Sequence, residues 1–348
     1  MVDKSPASPK AATIREVARA AGVSLMTVSN VVNGRFHSMR AETRERVEKA
    51  IAELDYRPRG MARALRLNRE LSVGILIVDP TSSFLADPFT SQVVAGLSNF
   101  LGRFRYGCLL HGVRPNNFDE SIFLGDAQTS GLCVFLCGDS KTRISYLERL
   151  LALRKPIIAI GDTVPTVFPD VAVVRQDDFA AGREMIVRLL ERGCVNFHVF
   201  KPETLWPSVT QRLEGIRQAV RDCDSSAVVD TISCNESSIL KTERLLAGLA
   251  PQLGSNSCVI GATDRISTAI SRIARSGDNP FRSETLFASF GASETSLDLS
   301  VFDVAVQSDP HRIGAEAGRL LLDRIDRNYF DIHESSVRLT LLERKDGR

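Results

Sequence analysis

The chain has 348 residues, 43% of them hydrophobic, enough apolar material to bury a sizeable core; this excludes disorder throughout and suits two or three domains of about 100–200 residues. No apolar run approaches the ~18 residues needed to cross a bilayer, and residues 1–10 are polar with two prolines, so a soluble, unexported protein with no membrane partner is expected. The net charge is only +2, but residues 1–70 hold fourteen lysines and arginines against eight aspartates and glutamates, while the rest holds 30 against 34: a small basic head that can meet phosphates on a slightly acidic body.

Residues 1–12 lack periodicity and read as a flexible tail. From Thr13 the pattern is helical. Ile14, Val17, Ala18 and Ala21 fall on one face behind a Thr13 N-cap, a second short helix starts at Ser24, and a third places Val47, Ala50, Ile51 and Leu54 together. Between the first two lies Ala21-Gly22-Val23-Ser24, where Gly22 can take a positive φ and Ser24 can cap, as the turn of a helix-turn-helix requires. At about 100° per residue, Val28, Val31 and Val32 share the inner arc of the second helix, and Leu25, Met26, Ser29, Asn30 and Asn33 the outer. That outer arc carries no charge, which suits base edges, methyls and phosphates better than solvent, although an ordinary helical bundle is the bland alternative. Residues 57–70, with Pro58, Gly60 and several arginines, are too short and charged for a stable isolated helix and read as a hinge.

Beyond Ser72, short apolar runs at 73–78, 108–110, 132–136, 156–160, 195–200, 258–261 and 286–290 read as strands. Helical windows follow at 145–153, 178–192, 211–221, 241–249, 265–274 and 310–327. This alternation predicts buried parallel sheets with right-handed crossovers, and about 275 residues divide more comfortably into two doubly wound subdomains than one.

The head resembles the LacI/GalR family of bacterial transcriptional regulators. The resemblance rests on Thr13-Ile14, Val17-Ala18, Ala21-Gly22-Val23-Ser24, Thr27-Val28-Ser29, Asn33-Gly34, Glu42-Thr43-Arg44, Val47, Leu54, Tyr56, Pro58, Ala62-Arg63 and Leu65. It implies a helix-turn-helix domain at 13–57, a hinge helix at 58–71 and an effector-binding, dimerising body at 72–348. By position it assigns Leu25 and Met26 to base readout in the major groove, and Ser24, Thr27, Ser29 and Asn33 to the phosphate backbone. Asn30 stands where the family usually has Arg, so the operator should differ at that base pair. Arg40 replaces a capping Ser, which shifts the cap to Ser38 or the helix start later. The resemblance also implies that the hinge folds on DNA and wedges Leu65 into the minor groove, beside Ala62, with Arg59, Arg63 and Arg66 on phosphates; a core role in a short helix is the alternative for Leu65.

The resemblance continues more loosely through Val73-Gly74-Ile75, Asp87-Pro88-Phe89, Arg212 with Gly215-Ile216, Asp264, and Gln307 with Gly314 and Ala317. It implies a periplasmic-binding-protein-like body whose two α/β subdomains hold a small molecule, a sugar or related metabolite, between them. Asp79, Asp162 and Asp264 closely follow strand-like runs, where open α/β sheets bind ligands. Arg212, at the start of its helix, could fork to a carboxylate or vicinal hydroxyls, and Phe89 and Trp206 could stack on a flat face. Phe89 is otherwise core, Trp206 a loop or interface residue, and any one Asp a helix cap. Ser293 replaces an Asp that often holds a sugar hydroxyl, Thr263 an Asn, and Asp162 a common Arg, which argues against a standard hexose.

Other classes have less support. No HExxH, GxSxG, GxGxxG or Walker sequence is present, the five histidines lie far apart in sequence, and no catalysis, metal or cofactor is expected. Seven scattered cysteines without CxxC spacing suit reduced cytoplasmic thiols. A solute-binding transport receptor would explain the body but not the basic head, and a regulator without effector is the other alternative. The expected assembly is a homodimer or tetramer on a pseudo-palindromic double-stranded operator, because one head contacts too few bases for genomic selectivity.

Overall fold

The computed structural model describes residues 13–32, 39–54, 71–125, 127–163, 168–223, 226–235, 238–291 and 300–344, and the chain divides into two compact units, 1–69 and 70–348. In the smaller unit, α1 (Ile14–Ala21), α2 (Leu25–Val32) and α3 (Ala41–Glu53) enclose a core of Val17, Ala18, Ala21, Val28, Val31, Val47 and Ala50. A capping box opens α1: the Thr13 hydroxyl accepts the Glu16 N–H, and the Glu16 carboxylate accepts the Thr13 N–H at 2.6 Å. Gly22 closes it in the left-handed region, φ 63°, with the Gly22 N–H on the Arg19 carbonyl and the Val23 N–H on that of Ala18, a Schellman motif. Ser24 then caps α2, its hydroxyl accepting the Thr27 N–H at 3.1 Å. Arg40 occupies the cap of α3 without a side-chain hydrogen bond; Ser38 lies outside the described residues. Leu54, expected on the buried face, is exposed because it ends the helix rather than lying within it.

The larger unit holds two six-stranded sheets. The first comprises β1 (Ser72–Val78), β2 (Gly107–Val113), β3 (Leu132–Phe135), β4 (Ile157–Ile160), β5 (Val171–Gln176) and β11 (Glu334–Val337), parallel throughout in the order β11-β5-β4-β3-β1-β2. The second comprises β6 (Asn196–Pro202), β7 (Val228–Cys234), β8 (Ser257–Gly261), β9 (Leu286–Phe290), β10 (Val304–Gln307) and β12 (Thr340–Glu343), in the order β12-β10-β9-β8-β6-β7, with only β12 antiparallel. Both faces of each sheet are covered, so central strands are continuous apolar runs rather than alternating ones. Along β1, Val73, Ile75 and Ile77 enter one core while Leu76 and Val78 enter the other.

Helices α4 (Pro88–Arg103) and α10 (Pro310–Arg327) cover one face of the first sheet and α5 (Ser140–Leu151) the other. Helices α6 (Asp178–Glu191) and α7 (Pro207–Cys223) cover one face of the second, with α8 (Ile239–Leu249) and α9 (Asp264–Ala274) opposite. The chain changes subdomain three times: from β5 into α6, from β10 into α10, and from β11 into β12. Asp177 and Asp309 cap the helices at the first two crossovers by accepting the N–H groups of Ala180 and Arg312.

Candidate functional site

In the smaller unit the surface of interest is the outer face of α2. Met26 is 70% and Leu25 44% exposed, while Thr27, Ser29 and Asn30 are half-buried beside them. Val28 and Val31 anchor the opposite face in the core, so the cap and the Schellman turn fix which side chains face outward. Two exposed apolar side chains next to hydroxyls and an amide can meet thymine methyls and base edges, and the N-terminal turn of a helix suits a phosphate. Asn33, Arg59, Ala62, Arg63 and Leu65 lie outside the described residues, as does Ser293.

In the larger unit a cleft with a cavity volume of about 110 Å³ opens between the two sheets. The carboxyl ends of the parallel strands build it, as expected for such sheets. Asp79 follows β1, Gln176 ends β5, Thr263 to Arg265 follow β8, Gly291 follows β9 and Ser308 follows β10, all in its lining. Phe84, Phe89, Phe135 and Trp206 supply flat apolar walls. Phe89 also packs against the first-sheet core, and Trp206 against a core of each subdomain. Nearby, the Gly138 N–H donates to the Leu205 carbonyl at 2.8 Å, a backbone link between subdomains.

Arg212 is central to the polar wall. Its Nε donates to Asp178 at 2.7 Å, its Nη1 to the Ala262 carbonyl at 2.6 Å, and its guanidinium stacks on Phe290 at 5.0 Å. Both members of this ion pair are buried, and burial pushes the Asp178 carboxyl above its ordinary range despite the pull of Arg212. Arg212 lies five residues into α7, not at its start, because the helix begins at Pro207. Asp79 is also raised: desolvation and the neighbouring Asp87 outweigh the Thr81 hydrogen bonds and the attraction of Arg265. Asp87 caps α4 by accepting the Thr90 N–H at 2.9 Å, and Thr263 caps α9, which leaves Asp264 as that helix's first residue.

Of the body residues singled out in the sequence, Asp79, Phe89, Trp206, Arg212 and Asp264 line this one cleft. Asp162 and Gln307 do not. Asp162 is fully buried against Arg143 of α5, with Nε to Oδ1 at 3.0 Å, while its neighbour Gly161 reaches the lining; Gln307 likewise gives way to Ser308. Gln176, Asp178, Arg265 and Ser308 were not anticipated. Extending the strand-end rule to 171–176 and 304–307 would have named Gln176 and Ser308.

The sequence model of the family described as bacterial regulatory proteins, lacI family, matches residues 13–59. Catabolite control protein A of Staphylococcus aureus is 28% identical over 226 residues, 64% of this chain and 65% of that relative, so the match spans just under two thirds of its length. Among solved structures, the lac repressor dimer bound to operator and the anti-inducer ONPF superposes with a TM-score of 0.73 at 19% identity, covering 96% of this chain and 98% of that one. The transcriptional regulator CelR in complex with cellobiose gives 0.64 at 23% identity, covering 97% and 100%. At these identities the structural likeness speaks for the fold: a helix-turn-helix head and a periplasmic-binding-protein-like body.

Proposed function

We propose that the chain, whose residues 13–59 match the model of the lacI family of bacterial regulatory proteins, is a member of that family and a sequence-specific DNA-binding repressor of transcription. It acts in the cytoplasm as a homodimer or tetramer, and a small molecule in the cleft sets its affinity for a pseudo-palindromic operator. It is a regulator and not an enzyme. Residues 13–57 read DNA, 58–71 form the hinge, and 72–348 bind effector and dimerise. On the DNA side Leu25, Met26 and Asn30 meet bases, Ser24, Thr27, Ser29 and Asn33 meet backbone, and Leu65 wedges the operator centre beside Ala62 while Arg59 and Arg63 hold phosphates. On the effector side Asp79, Phe89, Trp206, Arg212 and Asp264 meet the ligand.

The observation that carries this reading is the uncharged outer face of α2, where Met26 is 70% exposed at the edge of an otherwise well-formed core. Such a face is poorly matched to water and well matched to a groove. Selection of duplexes from a random pool by the purified full-length protein, at moderate ionic strength, tests it. A two-fold symmetric consensus is expected. Binding without any preference among duplexes would leave a ligand receptor with an unexplained appendage.

A further inference from the structure

Most charges in the cleft are already engaged: Asp178 holds Arg212, Glu334 holds Arg175 at 2.6 Å, and one Asp87 oxygen takes both the N–H and the hydroxyl of Thr90. Arg265 differs. It is the second residue of α9, lines the cleft half-buried, and makes no ion pair or hydrogen bond among the described residues. Its Nε is sealed from solvent without an acceptor among the described residues. Asp79 faces it from the other subdomain, close enough for the Arg265 charge to act on the Asp79 carboxyl, yet the two form no ion pair. Two further polar atoms of the lining are buried without a partner among the described residues, Gln176 Oε1 and Ser308 Oγ, one beside each of two crossovers.

A buried donor on a cation and a buried amide oxygen are costly while unmet, and one ligand can satisfy both. A neutral hydroxyl could accept from Arg265 but would bring no opposite charge, whereas a carboxylate or phosphate accepts from the planar guanidinium through two oxygens. Gln176 Oε1 and Asp79 then require donors, which hydroxyl groups supply. We infer that the effector is a hydroxylated organic anion whose carboxylate or phosphate sits on Arg265, and that Arg265 determines this specificity. The inference rests on the reading of the cleft as the effector site.

Trp206, the only tryptophan in the chain, stands in the cleft wall and can report occupancy by its fluorescence. The full-length protein is titrated with matched pairs: glucose against glucose 6-phosphate and glucuronate, and sorbitol against gluconate. The phosphate and carboxylate arms distinguish the two sources of charge. Within at least one pair the anion should bind about tenfold or more tightly than its neutral partner. Arg265→Gln should remove most of that preference with a thermal melt like the wild type, and Arg265→Lys should keep much of it. Neutral members binding as tightly as anions, preference surviving in Arg265→Gln, or no anion of the panel binding up to about 10 mM each overturns the inference. The wild-type comparison decides even if a variant fails to fold. Operator affinity measured on the same samples separates the two readings: an anion that binds without changing it removes the regulatory function alone, and a neutral sugar that changes it removes the anion assignment alone.

Discussion

Asn30 is half-buried on the outer side of α2, an uncharged amide where the related pattern usually has arginine. An amide can pair bidentately with adenine, whereas a guanidinium prefers guanine, and such a pair is worth about 1–3 kcal/mol of discrimination. Asn30→Arg should therefore move base preference at one position in each half-site, toward guanine, with overall binding retained; an unchanged consensus in a repeated duplex selection would remove Asn30 from the readout. Asp79 permits a second test. Its carboxyl is raised mainly by burial, so the folded protein binds that proton more readily than the unfolded chain does. The resulting destabilisation is present above the raised value and fades as pH falls through it toward the ordinary carboxylate range. Asp79→Asn should raise Tm at neutral pH, and the gain should shrink in melts at successively lower pH; a gain independent of pH would assign it to packing instead. Asp79, Phe89, Arg212 and Asp264 were legible in the sequence because they sit on motifs or just beyond strand-like runs. Arg265 was not, since a guanidinium beside a helix cap looks like any solvated charge until its missing partner is visible.

Two helix pairs, one in each subdomain, approach closely through glycines at reciprocal positions. A Cβ on Gly96 of α4 would lie 2.0 Å from the His311 carbonyl oxygen, and one on Gly314 of α10 2.0 Å from that of Val93. In the other subdomain a Cβ on Gly182 of α6 would lie 2.4 Å from the Arg212 carbonyl oxygen, and one on Gly215 of α7 2.1 Å from that of Phe179. These obstacles are backbone, so relief requires the helices to separate rather than a rotamer to change. Gly215→Ala should cost at least the 1–3 kcal/mol typical of overpacking, about several degrees of Tm, and should loosen the Arg212–Asp178 pair carried on the same two helices. A wild-type melting temperature would show that the pair can slide apart freely. Central elements such as β1, β8 and α10 were readable because burial on both faces, or on one helical stripe, leaves a strong apolar pattern. Strands β7, β11 and β12 were not: they lie at sheet edges, largely exposed, and Val228–Cys234 or Glu334–Val337 carries no apolar block. Helix α5 starts earlier than its apolar window because Asp139 caps a polar first turn.

At the scale of the larger unit, three crossovers join the subdomains, and residues of both line the cleft. Two crossovers pass directly beside cleft-lining residues: Gln176 precedes the cap of α6, and Ser308 that of α10. A molecule that engages both walls therefore changes the relative stability of open and closed arrangements by its difference in affinity for them, and by no more than that. If closure also biases operator binding, linkage makes the coupling reciprocal: an effector that changes operator affinity by a given factor must have its own affinity changed by that factor on DNA. Typical coupling of about 1–3 kcal/mol corresponds to roughly 5–150-fold. Trp206, packed against a core of each subdomain, makes this measurable without a label. Effector titrations followed by its fluorescence, with and without saturating operator duplex, should give dissociation constants whose ratio equals that of operator constants measured with and without saturating effector. Equal ratios different from unity identify the cleft as the allosteric site; a fluorescence change with identical constants on and off DNA would mean that the cleft binds its ligand without informing the head.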